Sequence, residues 1–246
     1  MPFSSAVVGR HRYRGPVLPR HRHRAGYIEL VLGGRFLEAG DEGRHLLVAG
    51  DVLVHADFEA HLDHFVSAEA DVLNLPLPAN HRFALAGTMR DPDAVARLAE
   101  SDPLAASAMI LGSLEPHRGP LCDWPDLLAA TLRRDPTRSI RGWAEEMSLA
   151  VSTVSRGFRA AYGCTAAAYR AEIRARNAWR GIVSSSASLA RVAAEQGFAD
   201  QAHMTRTIRE LTGAPPKSWR RHEPYLPRLG AARIERAPRI GQELAP

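Results

Sequence analysis

A pattern that occurs twice in the last third of the chain constrains the fold more than any other feature. The first copy is WAEEMSLAVSTVSRGFRAAYG, residues 143–163, and the second is VAAEQGFADQAHMTRTIRELTG, residues 192–213. The copies align at an offset of 49 residues before a central turn and of 50 after it, so that Arg156 aligns with Arg206. Each copy predicts a helix, a tight turn and a second helix, and the repetition predicts two such units in one domain.

The turn and the apolar spacing explain how each copy would fold. Gly197 suits the left-handed backbone that closes a helix, and Ser148 takes the same position in the first copy. Apolar side chains then recur at spacings that would pack the second helix of each copy against the first. They are Leu149, Val154 and Phe158 in the first copy and Phe198, Met204, Ile208 and Leu211 in the second.

The opposite face of each second helix carries side chains suited to DNA. Arg can donate to both acceptors of guanine, Gln can pair with adenine, and Ser and Thr can reach phosphates or bases. Ala202 offers at most a methyl contact. We predict DNA contacts by Ser152, Thr153, Ser155, Arg156 and Arg159 in the first copy and by Gln201, Ala202, His203, Thr205, Arg206 and Arg209 in the second.

The segment between the copies predicts one helix over residues 166–183, about 27 Å long at 1.5 Å per residue. Such a helix could hold two recognition helices in successive major grooves, which lie about 34 Å apart. Its arginines have two interpretations, contact with phosphate or ion pairs with Glu172 and Glu195. These arginines are Arg170, Arg174, Arg176 and Arg180.

Charge is distributed unevenly along the chain. Residues 1–24 carry six Arg and no acidic residue, whereas residues 25–132 carry six Arg against seventeen Asp and Glu. Residues 133–222 carry sixteen Lys and Arg against seven acidic residues, a net charge of +9. This asymmetry predicts an acidic domain joined to a basic one, and a polyanion as the partner of the basic domain.

Short apolar runs between turn residues predict strands in the first half, at about 27–32, 45–48, 51–54 and 71–77. Residues 91–115 have helical spacing, and form either a dimer helix or a packed core helix. Helices are predicted from Trp124 onward, over 126–134, 137–147, 151–162, 166–183, 188–196 and 201–212. The predicted organisation is a basic arm (1–20), a sensor or dimerisation domain (21–88), a helical linker (89–124), a DNA-binding domain (125–222) and a disordered tail (223–246).

The C-terminal region resembles the AraC/XylS family of transcription regulators. The most specific stretch is LARVAAEQGFADQAHMTRTIRELTGAPPKSWRR, residues 189–221, which resembles the family's signature over its second helix-turn-helix. The resemblance implies an all-α domain of two helix-turn-helix units joined by a long helix. It also implies a domain in front of it that senses a ligand or dimerises, often a small all-β, cupin-like barrel.

Two N-terminal segments resemble cupin motifs, namely HRHRAGYIELVLGG from His21 and AGDVLVHADFEAH from Ala49 to His61. The resemblance raises one metal-ligand set, His21, His23, Glu29 and His61, in which Glu29 would point inward together with Tyr27. The alternative is a barrel without a metal, with His21 and His23 in an exposed arm, and we expect no metal and no cofactor. His55, His64 and His81 have no spacing that supports a role.

The function predicted is a sequence-specific DNA-binding transcription regulator in the cytoplasm. Its partners would be double-stranded DNA, a small-molecule effector, RNA polymerase and a second copy in a homodimer, with no membrane. The chain shows no catalytic nucleophile–base set and no phosphate-binding glycine loop, so we expect no enzymatic activity. Two other hypotheses are a metal-dependent cupin enzyme with a helical appendage, and a helical module that binds protein.

Overall fold

Two sheets form the first half of the molecule and helices form the second. The structure is a computed structural model that describes residues 3–4, 8–78, 85–116 and 119–220. The predicted tail, 223–246, and His81 lie outside the described residues. The strands are β1 (Phe3–Ser4), β2 (Gly9–Arg14), β3 (Val17–His23), β4 (Tyr27–Gly33), β5 (Arg35–Gly40), β6 (Gly43–Val48), β7 (Asp51–His55), β8 (Ala60–Phe65), β9 (Glu69–Pro76), β10 (Leu85–Thr88) and β11 (Glu115–Pro116).

The sheets are antiparallel apart from one parallel pair, β1 with β3. The five-stranded sheet has the order β1-β3-β8-β5-β6, and the six-stranded sheet has the order β11-β10-β7-β4-β9-β2. Their inner faces pack together through an apolar cluster that includes Val31 and Val72 from one sheet and Phe36 and Leu47 from the other. The predicted all-β character of this half is therefore confirmed.

Two helices, α1 (Pro92–Ser101) and α2 (Pro103–Ser113), cover the outer face of the six-stranded sheet. Ile28 and Leu30 of the central strand β4 pack with Val95 of α1 and with Ile110 of α2, and all four side chains are buried. A strand that is apolar on both faces needs such a cover, because each exposed methylene would cost hydration free energy. These helices are core elements, so their prediction as a linker was wrong and the packed-helix alternative is the better one.

The prediction of a basic arm over residues 1–20 was also wrong, since these residues contain β2 and the start of β3. Arg10 and Arg14 lie on the solvent face of β2 and pair with Asp71 and Glu69 of β9, at N–O distances of 2.6 and 2.7 Å. Tyr13 points inward and packs on Phe65. The charge run is the outer face of an edge strand, where arginines discourage further pairing.

The second half consists of helices that agree closely with those predicted. None of the helices that the structure describes combines the length and the apolarity that a membrane span requires. The helices are α3 (Trp124–Arg134), α4 (Ile140–Glu146), α5 (Val151–Tyr162), α6 (Ala166–Ser184), α7 (Leu189–Glu195), α8 (Gln201–Thr212) and α9 (Pro216–Arg220).

The helix pairs α4–α5 and α7–α8 have matching turns. Ser148 and Gly197 both adopt left-handed backbone, with φ of 55° and 66°. In each turn the next residue donates its N–H back into the preceding helix, Leu149 to Ala144 and Phe198 to Ala193, both at 2.9 Å. The repeat in the sequence is thus a repeat in backbone conformation.

The outer face of the five-stranded sheet packs directly on the helices. Leu62 of β8 and Ala39 of β5 are buried in one apolar cluster with Phe158 and Tyr162 of α5. Phe58, in the connection between β7 and β8, packs against both Trp179 of α6 and Trp219 of α9, with ring centroids 4.9 and 5.8 Å apart. The two halves therefore share apolar cores.

Ion pairs cross the same boundary. Arg20 of β3 binds Glu172 of α6 at 2.7 Å, with its own side chain almost fully buried. Asp41, which follows β5, pairs with Arg176 of α6, and both side chains are buried. Removing one partner of such a pair leaves an uncompensated buried charge, so these contacts fix the relative position of the halves.

Leu62→Ala tests this boundary. We expect the free energy of unfolding to fall by about 2–5 kcal/mol, because a buried leucine is replaced by a cavity. The control Leu46→Ala, at a side chain that is 44% exposed, should change it by less than about 0.5 kcal/mol. Urea unfolding followed by tryptophan fluorescence measures both, since all four tryptophans lie in the helical half. A loss below 1 kcal/mol for Leu62→Ala would contradict the shared core.

A second prediction concerns the turns. Ser148→Gly should raise the free energy of unfolding by about 1 kcal/mol, since glycine adopts left-handed backbone without the Cβ clash. Gly197→Ala should lower it by about 1–2 kcal/mol for the same reason. The control Ser155→Gly, in the middle of α5, should lower it by about 0.5 kcal/mol. Thermal unfolding distinguishes the signs, and a destabilised Ser148→Gly variant would refute the equivalence of the turns.

Candidate nucleic-acid interface

Helix α5 presents one apolar and one polar face. Val154, Phe158 and Tyr162 recur every four residues and are fully buried, so the side chains on the opposite face of the helix point away from the core. Gly163 ends the helix with left-handed backbone, and its N–H donates to the carbonyl of Arg159 at 2.9 Å. The predicted DNA contacts in this copy are all exposed, namely Ser152, Thr153, Ser155, Arg156 and Arg159.

Helix α8 repeats that arrangement. Met204, Ile208 and Leu211 are buried, and the side chain of Asp200 caps the helix by accepting the N–H of His203 at 2.6 Å. Gly213 ends it with the same left-handed conformation as Gly163. Of the predicted contacts in this copy, Thr205 is half-buried, and the others are exposed, namely Gln201, Ala202, His203, Arg206 and Arg209.

Several arginines of the helical half form ion pairs. Arg191 and Arg138 pair with Glu195 and Glu146 within their own helix pair. Among the described residues, no acidic side chain forms an ion pair with any of the four arginines on the predicted faces, Arg156, Arg159, Arg206 and Arg209. Unpaired, exposed guanidinium groups at matched positions are suited to binding a polyanion.

The arginines of α6 fit neither interpretation in full. Arg176 is buried against Asp41, and Arg174 donates to the carbonyls of Gln196 and Gly197, so both act inside the protein. Arg170 donates to the carbonyl of Arg138. Only Arg180 of this set is exposed, because the helix runs between the sheet and the two helix pairs.

The prediction that Glu172 pairs with an arginine of α6 was also wrong. Glu172 pairs with Arg20 and Arg22 of β3, at 2.7 and 3.6 Å, and not with an arginine of its own helix. The sequence gives no sign of this partner, because β3 and α6 lie about 150 residues apart. Residues 1–24 therefore supply counter-charges to the helical half.

A second polar cluster lies between the sheets. The structure brings His21, His23 and His61 together, with one ring nitrogen of each within 4.8 Å of the others. Tyr27 and Glu29 line the same small cavity, whose volume is about 20 Å³. The alternative in which His21 and His23 sit in an exposed arm is therefore wrong, since both belong to β3 and His23 is buried.

The ionisable groups of this cluster have strongly shifted pKa values. Burial lowers the pKa of His21 to about 4, with repulsion from His61 as the next cause. Burial raises the pKa of Glu29 to about 8, helped by the charge of Glu38. Burial alone would lower the pKa of His55, but the carboxylates of Glu38 and Glu59 outweigh it and raise that pKa to about 9.

Three members of the cluster were not predicted from the sequence. Glu38, His55 and Asp63 are buried beside His61. His61 and Asp63 alternate with Leu62 along β8, so a period-two reading of AHLDHF would have placed both on one face. His64, on the same strand, points away from the cluster and lines no part of the cavity that holds His61.

The family model described as "Helix-turn-helix domain" matches residues 143–222. No curated protein matches the chain by sequence. Solved structures give low similarities, among them ToxT from Vibrio cholerae with an unsaturated fatty acid bound, 11% identical over 87% of this chain and 94% of that one, with a TM-score of 0.39.

Two further solved structures cover a smaller share of this chain. The C-terminal domain of AraT, a response regulator from Geobacillus stearothermophilus, is 15% identical over 44% of this chain and 93% of its own, with a TM-score of 0.38. The DNA-binding domain of AdpA in complex with a target DNA is 21% identical over 40% and 91%, with a TM-score of 0.38. The family match covers the region whose repeat and turns are described above, and residues 143–222 of this chain match a helix-turn-helix domain.

Proposed function

We propose that this protein is a sequence-specific DNA-binding transcription regulator. In this proposal α4–α5 and α7–α8 are two helix-turn-helix units, and α5 and α8 are their recognition helices. The observation that carries it is the pair of matched, exposed faces with unpaired arginines, Arg156 and Arg159 on one and Arg206 and Arg209 on the other, within a domain of the helix-turn-helix family.

The connecting helix supports simultaneous binding by both units. Helix α6 has 19 residues and spans about 28 Å at 1.5 Å per residue. It packs against α3 and α5 at one end, and against α7, α8 and α9 at the other. Because successive major grooves on one face of DNA lie about 34 Å apart, a rigid α6 of this length would let both recognition helices bind one duplex.

The N-terminal half would control that binding. Its two-sheet architecture supports a cupin-like sensor domain, and its five-stranded sheet packs on the helices that carry both units. Only the five-stranded sheet would therefore separate an effector bound between the sheets from the DNA-binding half. A homodimer, contact with RNA polymerase and the domain limits 21–88 and 125–222 stay predictions.

Binding to DNA is tested with the full chain and a fragment selected from random duplexes. Fluorescence anisotropy at several salt concentrations should give an affinity that falls about a thousandfold between 50 and 200 mM salt, because six or more phosphate contacts release counterions. An affinity that is independent of salt and of DNA sequence would refute the proposal and favour a module that binds protein.

Two arginine variants test the recognition faces. Arg206→Ala and Arg156→Ala should each weaken binding to the selected duplex by about 1–3 kcal/mol and relax the preference at one base pair. The control Arg97→Ala, at an exposed arginine on α1, should leave affinity and preference unchanged. If the three variants bind alike, these faces do not contact bases.

A further inference from the structure

The buried histidine cluster contains a set of nitrogens that resembles one side of a metal centre. His23 Nε2 and His61 Nε2 lie 3.1 Å apart. Two nitrogen ligands of one tetrahedral zinc ion, each about 2.0–2.1 Å from the metal, lie about 3.3–3.4 Å apart. With a nitrogen of His21 within 4.8 Å of both, three imidazoles converge from strands β3 and β8.

In two of the rings Nδ1 faces an oxygen acceptor, so Nε2 is directed toward the other imidazoles. His61 Nδ1 lies 3.2 Å from a carboxylate oxygen of Glu38 and 3.3 Å from one of Asp63. His21 Nδ1 donates to the carbonyl of Pro19 at 2.9 Å. With the proton held at Nδ1 in both rings, Nε2 faces the centre of the cluster, which is the arrangement that orients metal-ligating histidines. In this structure His61 Nε2 lies 3.1 Å from His23 Nε2 and 3.3 Å from the Tyr27 hydroxyl, and a metal ion would replace these contacts.

The cavity also contains an uncompensated acid. Glu29 is 5% exposed, and its Oε1 has no hydrogen-bond partner within the described part of the chain. It lines the same cavity as His21, His23 and His61. Burial makes the ionised form of Glu29 costly, and a cation bound in the cavity would stabilise that form.

We propose that His21, His23 and His61 bind a divalent transition metal ion through their Nε2 atoms, and that this ion is the effector of the regulator. Imidazole ligands suit ions such as zinc, nickel and iron rather than calcium or magnesium. The proposed metal site departs from our expectation of no metal, and it is argued from the geometry of the cluster alone. The proposed role of the ion as an effector rests on the proposed function.

The strands that hold the site also hold the helical half. Along β3, His21 and His23 point to the cavity, whereas Arg20 and Arg22 point outward to Glu172 of α6. Along β8, His61 points inward and Leu62 packs on the helices. A metal that draws the two strands together therefore acts directly on the contacts that position the DNA-binding units.

Titration of metal-free protein with Co²⁺ tests the site. The full chain, purified without a histidine tag, should bind one equivalent with visible d–d absorption, and Zn²⁺ should abolish that absorption. His23→Gln and His61→Gln should each weaken binding at least about tenfold. The control His64→Gln, on the same strand, should bind like the unmodified protein. Equal binding by all four proteins would overturn the proposal.

A measurement on the unmodified protein covers the case in which these variants do not fold. X-ray absorption of the zinc-loaded protein should show imidazole ligands at about 2.0–2.1 Å, with three rings per zinc. No bound zinc after gel filtration, or a shell of oxygen ligands only, would overturn the site.

The effector role is tested by DNA affinity in the metal-free and zinc-loaded states. We expect the two affinities for the selected duplex to differ by at least about fivefold, as a coupling free energy between two sites requires. Equal affinities would overturn the effector role. Absence of DNA binding in both states would instead refute the proposed function, while the Co²⁺ absorption would still decide the metal site.

Discussion

The five-stranded sheet is buried on both faces, and this constraint organises the rest of the molecule. Its inner face closes a cavity with buried histidines and carboxylates, and its outer face carries the apolar and charged contacts to the helices. Because side chains alternate along a strand, Arg20 and His21 lie on opposite faces of one sheet. The helical half consequently cannot shift without disturbing strands that line the cavity.

The two helix pairs show how a repeated sequence produces a repeated surface. The left-handed turns at Ser148 and Gly197 direct each second helix so that its apolar face is buried. What remains outside is polar and basic, and its arginines are left without acidic partners inside the described part of the protein. The same local rule, applied twice, yields the two faces on which the proposed function depends.

Local patterns made the helical half predictable. The helices and their buried faces follow from four-residue apolar spacing and from glycine at Gly163, Gly197 and Gly213, all of which act within a few residues. The histidine cluster was only partly predictable, because Glu38 reaches His61 through the pairing of β5 with β8, and His55 reaches it from the opposite sheet. The partners of Glu172 and Asp41 could not be predicted, since pairing between distant strands and helices leaves no local signal.

Methylation interference at guanine N7 tests the central claim most directly, because it reports major-groove contacts at single bases. With the full chain and a selected duplex, we expect two groups of interfering guanines on one face of the DNA, centred about 10 base pairs apart. Arg206→Ala should remove one group and leave the other. A single group, or two groups that both persist in the variant, would contradict the assignment of α5 and α8 to successive grooves.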